Sequence, residues 1–275
     1  MKIITEQQVK DLHISPSTCV EWIKESFALK SKAQLPAKIS LHPQGMDLFN
    51  TMPCIIPEPY NYFGVKIGRR ILGAVPSVMC DFLLYNTKTG ELLALFDADW
   101  ITAMRTGAVA TLAAQTFRKQ DTQYYGLIGL GNTARATLLC LLDSEPNIHH
   151  KVHLLKYKNQ AELFIQRFET YNNVEFDIID NAKDLVANSD VIISCVTEAN
   201  ELICDDNSLF QEGVTVIPVH TRGFQNCDLF FDKVFADDTN HVKGFKYFSK
   251  FRYFAEMSEI LYGGGSEGYL IKNAS

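Results

Sequence analysis

From residue 124 onward, short apolar runs alternate with segments whose apolar residues recur at helical spacing. Residues 190–196 form an almost continuous apolar run, which is typical of a strand buried on both faces of a parallel sheet. The same pattern predicts strands at 124–128, 151–155, 174–179, 214–219 and 233–236, with helices at 134–142, 160–171 and 182–187. Strands that alternate with helices indicate an α/β protein with a doubly wound parallel sheet of the Rossmann type.

The earlier part of the chain has shorter apolar runs and more turns. Ser15 followed by Pro16 is typical of a helix start, and Cys19, Ile23 and Phe27 then fall on one face of that helix. Further along, the pattern predicts short strands at 64–67, 78–84 and 92–96, a hairpin turn at 86–90 and a helix rich in small residues at 102–117. This part is therefore expected to form a separate, mixed and mainly β domain.

Composition narrows the possible functions. The 275 residues carry 26 Lys and Arg against 32 Asp and Glu, and without a basic block we expect no nucleic-acid partner. No apolar run approaches the roughly 18 residues that a membrane span needs, so no membrane partner is expected. The 7 cysteines are scattered without metal-ligand spacing, which predicts reduced thiols, no metal site and a cytoplasmic location.

The most informative motif is Gly129-x-Gly131-x-x-Ala134, placed between a predicted strand and a predicted helix. The first glycine permits a sharp turn, the second allows the backbone to approach a pyrophosphate, and the alanine lets the helix pack closely. The exposed N–H groups at the helix start then favour an anion. The sequence therefore predicts a dinucleotide site at this turn. The predicted cofactor-binding residues are Gly129, Gly131, Asn132, Thr133, Lys156, Lys158, Val196 and Thr197.

The end of the second predicted Rossmann strand bears on the choice of nucleotide. Proteins that prefer NAD place an acid there to bind the ribose 2′-hydroxyl. In this chain the corresponding residues are Lys156, Tyr157 and Lys158, which include no acid. Two lysines would attract a 2′-phosphate, so the sequence favours NADP(H), with NAD(H) as the alternative.

Three stretches together resemble one known family. They are residues 64–67 (GVKI), 89–108 (TGELLALFDADWITAMRTGA) and 128–135 (IGLGNTAR). These stretches are similar to the ornithine cyclodeaminase/mu-crystallin family. The resemblance implies a substrate-binding and dimerisation domain at 1–115, to which 245–275 return, and a Rossmann domain at 116–244. It also implies a homodimer that binds a small amino or imino acid.

The resemblance assigns roles to several cations. Lys66 matches the family's active-site lysine, and Arg105 matches the arginine that holds the substrate carboxylate. Lys38 stands where the family usually has an arginine, so it supplies the charge without the planar fork.

The loop after the predicted strand at 214–219 departs from the family pattern. The family's catalytic aspartate has no counterpart at the expected position, and Asp228 is the nearest acid. His220, Thr221 and Arg222 stand at the carboxyl end of the strand instead. We therefore expect His220 to be a proton donor and Arg222 an anion anchor, with Asp228 as a further catalytic candidate.

The function implied is hydride transfer at the α-carbon of an amino or imino acid. The corresponding enzymes are imine or ketimine reductases and opine-type amino acid dehydrogenases, which need only half of the cyclodeaminase cycle. Two alternatives stay open. One is a true ornithine cyclodeaminase, which converts L-ornithine to L-proline and ammonia, and the other is a non-catalytic, NADP-binding protein like the crystallins.

Overall fold

The computed structural model describes residues 1–45, 47–220 and 222–263. Thr221 lies outside the described residues, as does 264–275, the last part of the segment predicted to return to the first domain. Within the described part of the chain, no helix is both long and apolar enough to cross a membrane.

The first domain is built on a six-stranded sheet whose strand order is β1-β6-β5-β4-β3-β2. Strands β2 to β6 form an antiparallel meander, and β1 pairs parallel with β6 at one edge. The predicted hairpin at 86–90 is confirmed: Gly90 has φ +73° and donates its N–H to the Asn86 carbonyl at 2.9 Å. The strands are β1 (Lys2–Ile4), β2 (Ile39–Leu41), β3 (Leu48–Ile56), β4 (Tyr62–Arg70), β5 (Val78–Asn86) and β6 (Leu92–Asp97).

Three helices accompany this sheet: α1 (Glu6–Lys10), α2 (Pro16–Leu29) and α3 (Asp99–Phe117). The predicted start of α2 is confirmed, because the Ser15 hydroxyl accepts a hydrogen bond from the Thr18 N–H at 3.1 Å and Pro16 opens the helix. The apolar face of α2 packs with α3 and with the first helix of the second domain in one hydrophobic cluster.

The second domain contains a five-stranded parallel sheet with the order β11-β10-β7-β8-β9, which confirms the predicted Rossmann-type fold. From β7 the chain first adds β8 and β9 on one side and then β10 and β11 on the other, so the strand order reverses between β7 and β10. Ligands of such sheets bind at this switch point, beyond the carboxyl ends of the strands. The elements are β7 (Tyr124–Ile128), α4 (Asn132–Ser144), β8 (His150–Leu155), α5 (Gln160–Gln166), β9 (Val174–Ile179), α6 (Ala182–Ala187), β10 (Val191–Ser194) and β11 (Thr215–Pro218).

Two details of the sequence prediction are wrong. The strand expected at 233–236 exists as β12 (Val234–Ala236), but it pairs with β13 (Phe254–Glu256) in a separate two-stranded sheet. Phe235 stacks on Phe117 with ring centroids 4.0 Å apart, so β12 lies against the end of α3. The helix expected at 160–171 ends at Gln166. Two further helices follow in the described part of the chain, α7 (Thr239–Val242) and α8 (Met257–Tyr262).

Helices α3 and α4 join the two domains by an unusually close contact. A side chain at Gly107 would place its Cβ only 2.5 Å from the backbone of Ala136 and Thr137. The Thr111 hydroxyl, also on α3, donates to the Thr137 carbonyl at 2.9 Å. The glycine-rich turn stands at the N-terminus of α4, so this contact holds the turn and α3 in a fixed relation.

Candidate active site

The glycine turn has the geometry that a dinucleotide requires. Gly129 has φ +79°, and a Cβ there would lie 2.7 Å from the Val196 nitrogen, so neither the backbone conformation nor the space admits a side chain. Gly131 is the N-cap of α4, and a Cβ there would meet no heavy atom within 4 Å. The open space beside Gly131, in front of uncapped helix N–H groups, fits a pyrophosphate.

The other predicted cofactor residues are close to this turn. Asn132 and Thr133 form the first turn of α4, and Asn132 is exposed. Val196 contacts Gly129 through its backbone, and Thr197 follows it at the surface. Since β7 and β10 are adjacent parallel strands, both segments lie at the same edge of the sheet.

The predicted phosphate-binding lysines stand at the end of β8. The Lys156 ammonium donates to Asp180 Oδ1 at 2.8 Å, with both side chains at the surface. Lys158 has φ +53°, and its ammonium lies 5.2 Å from the centre of the Tyr157 ring. Asp180 directly follows β9, the strand next to β8 in the sheet. An acid therefore does lie beside Lys156, but it comes from the neighbouring strand, which the sequence analysis missed.

Three predicted substrate-binding cations come from three separate elements. Lys66 lies on β4, Arg105 on α3, and Lys38 just before β2. Burial, and then the positive charges of Arg105 and Lys38, together lower the pKa of Lys66 to about 8, while the Cys80 thiol acts in the opposite direction. The structure therefore brings these cations close enough to repel one another.

Arg105 is accessible to solvent although much protein surrounds it, which is the situation of a side chain in the wall of a cleft. The residue is exposed to solvent, yet the protein around it is dense enough that desolvation lowers the pKa of its guanidinium. The negative charge of Asp237 opposes this shift. A charged group that is accessible but poorly solvated binds a complementary anion strongly, because little hydration has to be removed.

His220 belongs to the same cleft. It follows β11 closely, and its pKa is lowered by burial and then by the positive charges of Arg105 and Lys38. His220 is therefore neutral near pH 7, which makes it a weaker proton donor than the sequence suggested.

The other two candidates of this loop differ in environment. Arg222 is exposed. Burial raises the pKa of Asp228 to about 6, whereas a neighbouring cation would lower it. Asp228 is therefore not part of the cluster formed by Lys38, Lys66, Arg105 and His220.

The sequence analysis missed two residues of the cleft, Asp237 and His241. Asp237 follows β12, and its Oδ1 lies 3.4 Å from Nδ1 of His241 on α7. Burial opposes the ionisation of Asp237, but His241 and the charge of Arg105 prevail and lower its pKa. The sequence does contain a signal for this pair, because Asp237 directly follows the strand predicted at 233–236 and His241 stands four positions later.

Among the residues that the structure describes, no three His, Cys, Asp or Glu side chains gather closely enough to hold a metal ion. All seven cysteines are free thiols.

The chain is similar in sequence to several known proteins. Alanine dehydrogenase of Archaeoglobus fulgidus is 33% identical over 138 residues, which are 48% of this chain and 41% of that protein. Delta(1)-pyrroline-2-carboxylate reductase of Colwellia psychrerythraea is 27% identical over 217 residues, covering 76% of this chain and 67% of that protein. The match to the alanine dehydrogenase thus spans about two fifths of that enzyme's length.

The fold is also that of a solved structure, the Thermococcus litoralis Delta(1)-pyrroline-2-carboxylate reductase in complex with NADH and L-proline. The TM-score is 0.80 at 22% identity, covering 95% of this chain and 86% of that one. Finally, the sequence profile of one family matches residues 2–232. With a glycine turn, a cleft of cations and this match over most of its length, the chain belongs to the ornithine cyclodeaminase/mu-crystallin family.

Proposed function

We propose that this protein is a nicotinamide-dependent oxidoreductase that transfers hydride at the α-carbon of an amino or imino acid. The observation that carries the proposal is the meeting of Lys38, Lys66 and Arg105 beside the carboxyl edge of the parallel sheet. Asp237 offsets part of the charge of Arg105, but the three cations together keep an excess of positive charge, which is unfavourable without a further anion. A substrate carboxylate supplies that anion and relieves their repulsion.

The cofactor site in this proposal follows the carboxyl edge of the sheet. In the strand order β11-β10-β7-β8, the edge carries His220, Val196, Gly129 and Lys156 in sequence. The pyrophosphate would lie against Gly131 and the N-terminus of α4. The adenosine end would lie toward Lys156 and the nicotinamide end toward His220. When bound, the nicotinamide supplies or accepts the hydride, and the protein orients the substrate and manages its charge.

On the substrate side, Arg105 would hold the carboxylate with its planar fork, and Lys66 and Lys38 would add positive charge. Arg222 would act as an outer anion anchor. Because Lys66 has a pKa of about 8, it can also give up a proton near neutral pH. With the carboxylate fixed, the α-carbon is presented toward the nicotinamide end of the site.

We further propose a preference for NADP(H) over NAD(H). Lys156 and Lys158 provide positive charge at the end of β8, where an NAD-preferring domain has an acid. The ion pair between Lys156 and Asp180 lies at the surface, where solvent and salt screen such pairs so that they contribute little to stability. A 2′-phosphate can therefore compete with Asp180 for this lysine.

We favour simple reduction of an imino acid over cyclisation of ornithine as the activity of this protein. Asp228 is outside the cation cluster. Asp237 does bring a carboxylate into the cleft, but His241 and the Arg105 charge already engage it, so it is poorly placed to bind a second substrate amine. The retained cation cluster in turn argues against a purely structural, crystallin-like role.

The proposal includes a homodimer, with the first domain (1–115, joined by 245–275) as the dimerisation and substrate domain and 116–244 as the cofactor domain. Strand β2 is an edge strand whose Ile39 and Leu41 are 58% and 64% exposed, and Phe49 opposite Leu41 is also exposed. Such an apolar edge is favourable in an interface and unfavourable in water. A cytoplasmic location is proposed because the cysteines are free.

The direct test is turnover. The purified protein is assayed for oxidation of NADPH and NADH with Δ1-pyrroline-2-carboxylate, and with pyruvate plus ammonium. In parallel, L-ornithine and catalytic NAD or NADP are tested for proline and ammonia. Imine-dependent oxidation of the cofactor supports the proposal, and turnover of L-ornithine alone would assign the protein to the cyclodeaminases instead.

A further inference from the structure

Two histidines of the cleft are in opposite electrostatic environments. Burial of His220 and the positive charges of Arg105 and Lys38 all disfavour the protonated form of this histidine and lower its pKa. The hydrogen bond to Asp237 raises the pKa of His241, and the charges of Asp237 and Asp238 act in the same direction against burial and Lys38. Of the two histidines, His241 is therefore the one whose surroundings favour the protonated form.

The local geometry fixes which nitrogen of His241 can act. Its Nδ1 lies 3.4 Å from Asp237 Oδ1 and donates to that carboxylate. This leaves Nε2 for a second partner, and 43% of the side chain is accessible to solvent. A carboxylate that orients one ring nitrogen while the other exchanges a proton is a common arrangement in acid–base catalysis.

The segment that carries the pair is anchored to the first domain. The Lys30 ammonium, at the end of α2, donates to the Asp237 carbonyl at 2.6 Å and to Glu256 Oε2 at 2.5 Å. Glu256 in turn accepts hydrogen bonds from the N–H and hydroxyl of Thr239 at 2.7 and 2.6 Å. These contacts hold the start of α7 in place next to the cleft that contains Arg105.

We infer that Asp237 and His241 form the acid–base pair that delivers the proton to the substrate nitrogen during reduction. The inference rests on the proposed function, and it replaces His220 in that role. Hydride adds to the α-carbon of the C=N bond, and the π electron pair moves to nitrogen, which takes the proton from Nε2 of His241. The products are the amine, the oxidised cofactor and a neutral His241, which is protonated again from solvent. Oxidation of the amine runs the same steps in reverse.

The groups that face this pair set its pH dependence. Asp237 and Asp238 lie on its own segment, Lys38 approaches from the strand β2 side, Arg105 from α3 and Lys30 from α2. Because the acid form of His241 is required for reduction, kcat for imine reduction should fall as pH rises through the elevated pKa of this histidine. The reverse reaction should rise over the same interval.

The first test measures pH profiles of imine reduction for the wild type, His241→Gln and Asp237→Asn. We expect His241→Gln to lower kcat about 100-fold or more and to abolish the descending limb assigned to the histidine. Asp237→Asn should move that limb to lower pH. Imidazole added to His241→Ala should restore part of the rate. The matched control is His149→Gln, because His149 also pairs with a carboxylate, Glu175 at 3.7 Å, and is similarly exposed.

The second test does not depend on turnover. The imidazole ¹⁵N resonances of the apoprotein are titrated, with His241→Gln used for assignment. A His241 pKa above 6.5 that falls in Asp237→Asn supports the pair, and a value at or below 6.5 overturns it. If the wild type reduces the imine but His241→Gln keeps its rate and its pH limb, the pair is wrong and the proposed function stands. A wild type that reduces no imine, yet binds NADPH, refutes both.

Discussion

The two halves of the candidate site are built in different ways. The cofactor half is local: Gly129, Gly131 and Val196 belong to two adjacent parallel strands and the turns that follow them. The substrate half is assembled from β4, α3, the segment before β2, the loop after β11 and the start of α7. The cofactor half is therefore defined by the geometry of neighbouring backbone segments, whereas the substrate half depends on charge interactions between residues far apart in the chain.

The largest effect is expected from substitutions of two glycines in the cofactor half, Gly131 and Gly129, which should differ in their effect on stability. Gly131→Val should abolish binding of NADPH and NADH, because its side chain fills the open space beside the N-terminus of α4, while the melting temperature should hardly change. Gly129→Val should also destabilise the protein by about 1–3 kcal/mol, because its positive φ is strained for any other residue. Fluorescence titration and thermal denaturation of both variants distinguish these outcomes. Full cofactor affinity in Gly131→Val would rule out the proposed site.

A second variant tests the charge geometry of the substrate half. Arg105→Lys keeps the charge but loses the planar fork, so kcat/KM should fall about 10- to 100-fold, equivalent to about 1.5–3 kcal/mol. NADPH affinity should stay unchanged. Arg252→Lys is the control, because Arg252 pairs with Asp232 at the surface. If both variants behaved alike, Arg105 would have no role in holding the substrate.

The pKa of Lys66 predicts how the substrate half depends on pH. With a pKa of about 8, Lys66 is positively charged below that pH and neutral above it. Affinity for a carboxylate inhibitor should therefore be highest below pH 8 and fall as the pH rises above it. Binding should also take up a proton near pH 8, which calorimetry in two buffers detects. In Lys66→Met the inhibitor should bind more weakly, with a flat profile over this interval.

The smallest expected effect returns to the cofactor half. Lys156→Asp should shift the ratio of NADPH to NADH affinity toward NADH by about tenfold, since a charge-assisted phosphate contact contributes about 1.5–3 kcal/mol. Lys183→Asp is a suitable control, because Lys183 is also a surface lysine paired with an aspartate, Asp205 at 3.0 Å. Equal affinities of the wild-type protein for the two cofactors would show that Lys156 does not read the phosphate.

Elements whose formation depends on local chemistry were predictable from the sequence. The cap of α2 at Ser15, the hairpin at Gly90 and the parallel strand β9 (Val174–Ile179) all have the predicted position. Strand β12 was predicted as a strand but in the wrong sheet. An apolar run shows that a strand is buried, but its partner depends on packing, here on the stacking of Phe235 against Phe117.

The sequence by itself determined the dinucleotide turn, because a positive φ and a close approach of backbone at Gly129 require glycine, and such a requirement is visible in the residue itself. Only the tertiary structure decided which titratable groups share the cleft. Asp237 interacts electrostatically with Arg105, which is far away in the chain, and holds His241 beside it. Opposite charge environments distinguish His241 from His220. A pKa depends on neighbours in space, so no pattern along the chain could have assigned the proton to one histidine rather than the other.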